Sequence, residues 1–521
     1  GGKVDWAGYQ GRSPWLVSYP LTAGSEPSVR MVVYLTSRGR RDRANRMALS
    51  SGKLNDETEP RPEPASNGLG ATNKLPHVAG ALPGPKSQEI FEAEQRHIAP
   101  GRQRISLLAG LALDHGEGAT LTDADGNVYV DFVAGIGVAS LGHAHPALVN
   151  ALARQAGRLM VGTFATAERA EAFRLLTEIA PQNLTRVHLY SGGAEAVEAA
   201  LRLARSVTKK HEVVGFWGGF HGKTAGVMGL IGDESKHGYG PLAGGQYLVP
   251  YADCYRCPFK LKHPSCGLYC VDFARQQIRN SSAGAIAAIV AEPMQGTAGN
   301  VIPPDDWLPA VKSVAREFDA LLIADEMITG FGRTGRMWGI EHSGAQADIL
   351  TVGKGMGAGF PVSAVLMSEQ ISHAEPFAKP SASSSSYGGN PLAAIAVAQT
   401  IKTIRREKLV ENSRSVGAML LGRMLQLKEK YEFVGDVRGR GLLLGLDLVR
   451  DNESRRELSR QVMEIIFKEA LRRGLLVMGY FPRVRINPPL VISESQAEAG
   501  VEILDEVLGY VRDHVDWRSA D

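Results

Sequence analysis

The chain has 521 residues, of which 44% are hydrophobic and 22% charged, a balance that suits a folded chain of two or three domains with sizeable cores. Its 58 Lys and Arg against 55 Asp and Glu leave a formal charge of +3, too little over this length to mark a nucleic-acid footprint. The longest apolar runs, such as 285–291 (AIAAIVA), stop far short of the roughly 18 to 20 residues a membrane span needs, so neither nucleic acid nor membrane is expected as a partner.

The start, GGKVDWAGYQ, lacks a basic segment leading into an apolar run, and the expected location is the cytoplasm. Residues 1–85 are expected to form a flexible extension, because 50–86 is rich in Pro, Gly, Ser, Asn and charge without helical or strand period. Residues 119–132 (ATLTDADGNVYVDF) alternate around Asp125-Gly126 and predict a hairpin. A helix is predicted over 147–158. Apolar strand segments then alternate with helical ones, at 187–190, 212–216, 285–291, 320–325 and 348–352. That alternation predicts an α/β fold with a mainly parallel sheet, whose ligands bind in loops at the carboxyl ends of the strands. From about Asn390 a long helix, the runs GLLLGLDL and GLLVMG, and a last helix near 494–512 predict a second, α+β domain.

Four groups could carry chemistry. In YSGGAEAVEAALRLAR (190–205) a strand passes through Ser191-Gly192-Gly193 into a helix. Backbone N–H groups of Gly192, Gly193 and Ala194 could cup a phosphate there, although a Gly-Gly helix start is also ordinary turn chemistry. Lys354, in DILTVGKGMGAGFP, sits between glycines after an apolar run. A desolvated lysine has a depressed pKa and can form a Schiff base, whereas a surface lysine would do neither. The run Leu321-Leu322-Ile323-Ala324 ends in Asp325 and Glu326, and Gly219-Phe220-His221-Gly222 offers an aromatic and an imidazole to a flat ring. A ligand with a phosphate, an aldehyde, a flat ring and a protonatable ring nitrogen would use all four, and pyridoxal 5'-phosphate (PLP) is such a ligand.

These motifs resemble those of class III (ω-type) PLP-dependent aminotransferases of fold type I. SGGAEAVEAALRLAR, GGFHGKT, AEPMQG, LLIADEMITGFGRTG, DILTVGKGMGAGFP, SSSYGGNP and VRINPPLVI occur in that order over about residues 85–515. The resemblance implies a large PLP-binding domain, 146–390, and a smaller α+β domain built from 86–145 and 391–521. It implies that Lys354 is the Schiff-base lysine and moves a proton between substrate Cα and cofactor C4′, and that Asp325 pairs with the pyridine nitrogen. Phe220 would stack on the ring with His221 beside it. Gly193 and Ala194 would bind phosphate, and Ser386, where the family usually has Thr, would reach the phosphate of the neighbouring subunit's cofactor, implying a homodimer with shared sites. Arg485 would bind the substrate α-carboxylate, with Glu292 as the partner that neutralises it when an ω-amine occupies the site; alternatively Glu292 merely ends a strand before Pro293.

The implied reaction takes an amino group from an ω-amino acid, diamine or amino acid to a 2-oxo acid. An amino-acid racemase or epimerase of the same family is the rival reading. A non-catalytic protein that kept the fold would be expected to lose the lysine or the aspartate, and both are present. One position departs from the family: DEMITG replaces the usual DEVQTG, and Ile328 cannot make the hydrogen bonds of a glutamine.

All four cysteines, Cys254, Cys257, Cys266 and Cys270, fall in the insertion CYRCPFKLKHPSCGLYC. Such spacing could hold zinc or an iron–sulfur cluster, with reduced thiols and disulfides as competitors. The segment is expected to be structural, and no metal is assigned to the site.

Overall fold

The computed structural model describes residues 75–181 and 183–519; the expected flexible extension lies, as far as Lys74, outside the described residues. The first helix, Pro85–Gln95, starts on a proline whose missing N–H costs nothing at that position. Three strands follow, β1 (Leu113–Glu117), β2 (Thr120–Asp123) and β3 (Val128–Asp131). β2 and β3 are the predicted hairpin, and Asp123 holds its turn by accepting from the N–H groups of Asp125 (3.0 Å) and Asn127 (2.9 Å). The predicted helix after His145 runs over Pro146–Ala156.

Seven strands build the main sheet: β4 (Arg186–Tyr190), β5 (Glu212–Phe216), β6 (Gln246–Val249), β7 (Ile286–Ala291), β8 (Leu321–Asp325), β9 (Ile349–Val352) and β10 (Ser363–Met367). Their order is β4-β10-β9-β8-β7-β5-β6. All adjacent pairs are parallel except those of β10, which runs against both β4 and β9. The sheet is therefore mainly parallel, as the alternation of segments predicts. Period-two alternation explains how it is covered on both sides. Ile323, Ile349 and Val365 pack with the buried alanines and leucines of the helix Gly193–Thr208, whereas Leu322, Ala324 and Leu350 join the larger core on the opposite face. β6 and β10 escaped prediction. QYLV is a half-exposed edge strand, and SAVLM is a five-residue run following a glycine-rich loop.

The later strands are β11 (Val434–Arg440), β12 (Leu443–Leu448), β13 (Leu475–Leu476) and β14 (Arg483–Ile486). β11, β12 and β14 form an antiparallel sheet, while β13 pairs with β3, so that early and late parts of the chain share one sheet. This is the α/β fold with a smaller α+β unit of interleaved ends. Polar stitches join the three-stranded sheet to loops of the main one: Asn300 Nδ2 donates to the Leu444 carbonyl (2.6 Å) and Arg333 Nη1 to that of Leu442 (3.1 Å). The final helix, Glu494–His514, opens on a Ser493 cap, and Asn390 caps the helix Pro391–Arg406. No helix among the described residues is long and apolar enough to cross a membrane.

Candidate active site

β4, β5, β7, β8 and β9 share one direction, so their carboxyl ends lie along the same edge of the sheet, and each is followed at once by one of the motifs. This explains why residues far apart in sequence surround one cavity. Phe220, Glu292, Asp325, Ile328 and Lys354 line it, together with Arg485 from β14. Ile136, Gly296, Thr297, Met327 and Asn487 complete the lining; none of these five is a site residue in the sequence reading, although all but Ile136 lie in or beside a quoted motif.

Asp325, fully buried, ends β8. Its Oδ2 accepts from His221 Nδ1 at 2.6 Å and its Oδ1 from the Met327 N–H at 3.1 Å. Burial favours a neutral imidazole, but the carboxylate outweighs it and raises the His221 pKa above its ordinary value. His221 is held on Asp325 and is not among the residues that line this cavity. The sequence suggested instead a place for His221 beside the ligand ring.

Lys354 opens a short 3-10 turn with φ +44°, a left-handed conformation that a lysine adopts only at a cost of about 1 kcal/mol or more. The neighbouring glycine makes room: a Cβ on Gly353 would lie 2.7 Å from Met327 Sδ. Ser140 Oγ donates to the Gly355 carbonyl at 2.7 Å and steadies the turn. Burial and the nearby Arg485 lower the Lys354 pKa, opposed by Asp325 and Glu292, and the result is an amine closer to its neutral, nucleophilic form.

Glu292 follows β7 and accepts from the N–H groups of Phe220 and Gly296, both at 3.0 Å. Burial raises its pKa, and Asp325 adds to the effect. The Arg485 guanidinium has no hydrogen-bond or ion-pair partner among the described residues, and burial lowers its pKa. A buried cation without a partner is costly unless an anion arrives to pair with it.

At the end of β4, Gly192 caps the helix Gly193–Thr208. The Glu195 carboxylate accepts from the N–H groups of Ser191 (3.0 Å) and Gly192 (3.3 Å), while Ser363 Oγ ties down the Gly192 carbonyl at 2.7 Å. That leaves the N–H groups of Gly193 and Ala194, at the positive end of the helix dipole, for an anion. An anion cup, a buried carboxylate, a ring-sized aromatic and a desolvated lysine form a donor set that fits PLP. Ser386 lies exposed in the loop between Met367 and Pro391, outside the cavity of its own chain.

Ile328 is buried with Met294 and Leu443. Its Cδ1 fills the space that a Cβ on Gly137 would need, only 2.2 Å away. Glu326 points away from the cavity and braces the loop after β8, accepting from the Gly339 (2.8 Å) and Ile340 (2.7 Å) N–H groups and from Thr329 Oγ1. Burial pushes its pKa from 4.5 up to about 7. The unfolded chain therefore releases this proton before the folded one does, and stability present below pH 4.5 is lost as pH rises through about 7. Relative to Glu326→Gln, the parent protein should lose on the order of 3 kcal/mol across that window; denaturant titrations at a series of pH values measure the difference, and parallel curves for the two proteins would refute it.

The four thiols are free and line one small cavity of the insertion. Burial and their mutual proximity push Cys254 and Cys270 up to about 11. No group of three or more His, Cys, Asp or Glu among the described residues is set to hold a metal ion.

Fold and site together define a PLP enzyme of fold type I. The chain belongs to the class III aminotransferase family, whose model matches residues 103–508. It is 36% identical over 426 residues to acetylornithine aminotransferase from Methanothermobacter thermautotrophicus, covering 81% of this chain and 99% of that protein. It is 33% identical over 435 residues to leucine/methionine racemase from Thermococcus litoralis, covering 82% and 97%. Among solved structures, an (S)-enantioselective omega-transaminase from Thermomicrobium roseum superposes with a TM-score of 0.76 at 30% identity, over 82% of this chain and 98% of that one.

Proposed function

We propose that the protein moves an amino group from an ω-amino acid, diamine or amino acid to a 2-oxo acid such as 2-oxoglutarate or pyruvate. The observation that carries this reading is the unpartnered Arg485 guanidinium in the same cavity as Lys354 and Glu292. Transamination between an ω-amine and a 2-oxo acid must accept two substrates in turn, without and with a carboxylate at that point, and a cation near a carboxylate it does not yet pair with suits both.

PLP, when bound, supplies a carbonyl for amines to condense with and a ring that accepts the electron pair released at Cα. Lys354 would hold it covalently, and its amine would carry the proton between substrate Cα and cofactor C4′. Asp325, oriented by His221, keeps a proton on the ring nitrogen. Gly193 and Ala194 hold the phosphate, and Phe220 covers the ring. Arg485 binds the α-carboxylate of amino and 2-oxo acids as a bidentate fork, and Glu292 compensates it when the substrate has none.

We also assign the protein a homodimer with shared sites. Leu159, Met160, Val161, Phe164 and Tyr387 are exposed, and Tyr387 adjoins Ser386, so a second copy covering this surface would bring Ser386 to its neighbour's phosphate.

A second reading, an amino-acid racemase or epimerase, is favoured by two observations: a relative bears a racemase name, and Ile328 stands at the family's glutamine. Arg485→Met tests the preferred reading. It should raise KM for 2-oxoglutarate and for α-amino donors about 100-fold and spare donors that lack an α-carboxylate. An equal change for both donor classes would refute the role of Arg485.

A further inference from the structure

Thr297 and Arg485 line both this cavity and a larger neighbouring chamber. The half-exposed rings of Trp217 and Phe481 stand in its wall. So do Arg256 and Pro258, which belong to the cysteine-rich insertion. Arg483 and Arg485, two apart on β14, project on the same face of the strand, and Arg483 is directly opposite Asp447 on β12.

Arg256 ties the insertion to that sheet. Its Nη1 donates to the Arg455 carbonyl at 2.9 Å. Its Nε and Nη2 lie 3.5 Å from Asp447 and Glu457 respectively, with no hydrogen bond at either atom. Arg483 Nε closes the set at 3.2 Å from Glu457. In return, the Arg455 guanidinium donates to the Tyr255 carbonyl and sits 4.8 Å above the Tyr255 ring. A staple between two surfaces would not need to face a chamber. Arg256, Glu457 and Arg483 do, and Arg483 continues the face of β14 that carries the substrate-binding candidate Arg485.

We propose that the cysteine-rich insertion is a specificity element, in which Arg256, with Glu457 and Arg483, forms the polar wall that receives the far end of a long amino donor. The proposal rests on Arg485 holding the α-carboxylate. A donor the size of alanine then ends short of the chamber, whereas a chain reaching past Cγ enters it. A polar end group can hydrogen-bond to these side chains in place of the water it displaces, and an apolar end group of equal length displaces that water with no bond in return.

The test is to measure kcat/KM of the holoenzyme for norvaline, ornithine and glutamine, with alanine as the short reference, in the parent protein, Arg256→Met, Arg256→Lys and Glu457→Gln. Either product of turnover, keto acid or inverted amino acid, serves as readout. The parent protein should favour the two polar-ended donors over norvaline by about tenfold or more. Arg256→Met should erase that ratio and Arg256→Lys restore part of it. Glu457→Gln, altering a half-exposed side chain, gives a second reading should Arg256→Met fail to fold. A parent ratio near one, an unchanged ratio in the variants, or an equal loss for all four donors would overturn the proposal. Failure of every donor, alanine included, would overturn this inference, and adding 4-aminobutyrate as a donor without an α-carboxylate shows whether the proposed function fails with it.

Discussion

Lys354→Ala is expected to lower turnover by at least about 10⁴-fold, and to abolish the visible absorbance of the lysine-bound cofactor. The two duties proposed for Lys354, nucleophile and proton carrier, have no other candidate in the cavity: it is the only lysine among the lining residues, and its lowered pKa suits both. Its left-handed turn is fixed by Gly353, Gly355 and Ser140, so alanine at that position should leave the surrounding backbone in place. Retention of the absorbance in this variant, or of turnover within tenfold of the parent, would remove Lys354 from the mechanism.

Asp325→Asn should cost about 10³-fold in kcat, with a smaller effect on KM. The substitution is nearly isosteric, and an amide oxygen can still accept from the Met327 N–H. What is lost is the negative charge that holds a proton on the ring nitrogen and that raises the His221 pKa. His221→Asn, acting through Asp325, should produce a weaker version of the same defect and shift the pH profile of kcat. A merely structural role for His221 would lower stability without moving that profile.

The parts of this account legible in the sequence share one physical feature: they are loops that begin where a buried strand ends. β7, β8 and β9 are short apolar runs with both faces covered, and each passes directly into its functional residue, so a strand read correctly places Glu292, Asp325 or Lys354 without further information. The glycine pair before the helix Gly193–Thr208 is legible for the same reason. Features that depend on contacts between distant segments were not. His221 meets Asp325 across 104 residues of chain, and no local pattern reveals that the two are hydrogen-bonded. Glu326 stands next to Asp325 in the sequence, yet the groups its carboxylate braces, the N–H groups of Gly339 and Ile340, lie 13 and 14 residues further on and are not apparent from the motif. The insertion read as structural because its four cysteines drew attention, whereas the residues it lends to the chamber are Arg256 and Pro258 between and beside them. Ile328 was visible as a departure from the family, but its fit against Gly137 became apparent only in three dimensions.

The central claim is that this site transfers amino groups between substrates. The most direct measurement follows single-enantiomer amino acids incubated with the holoenzyme in deuterated water, with and without 2-oxoglutarate, by chiral chromatography and mass spectrometry. Transamination predicts keto acid and glutamate that accumulate only when the acceptor is present, with the remaining amino acid unchanged in configuration. Inversion at Cα with deuterium uptake in the absence of any acceptor, and no glutamate in its presence, would contradict the claim and establish the racemase reading in its place.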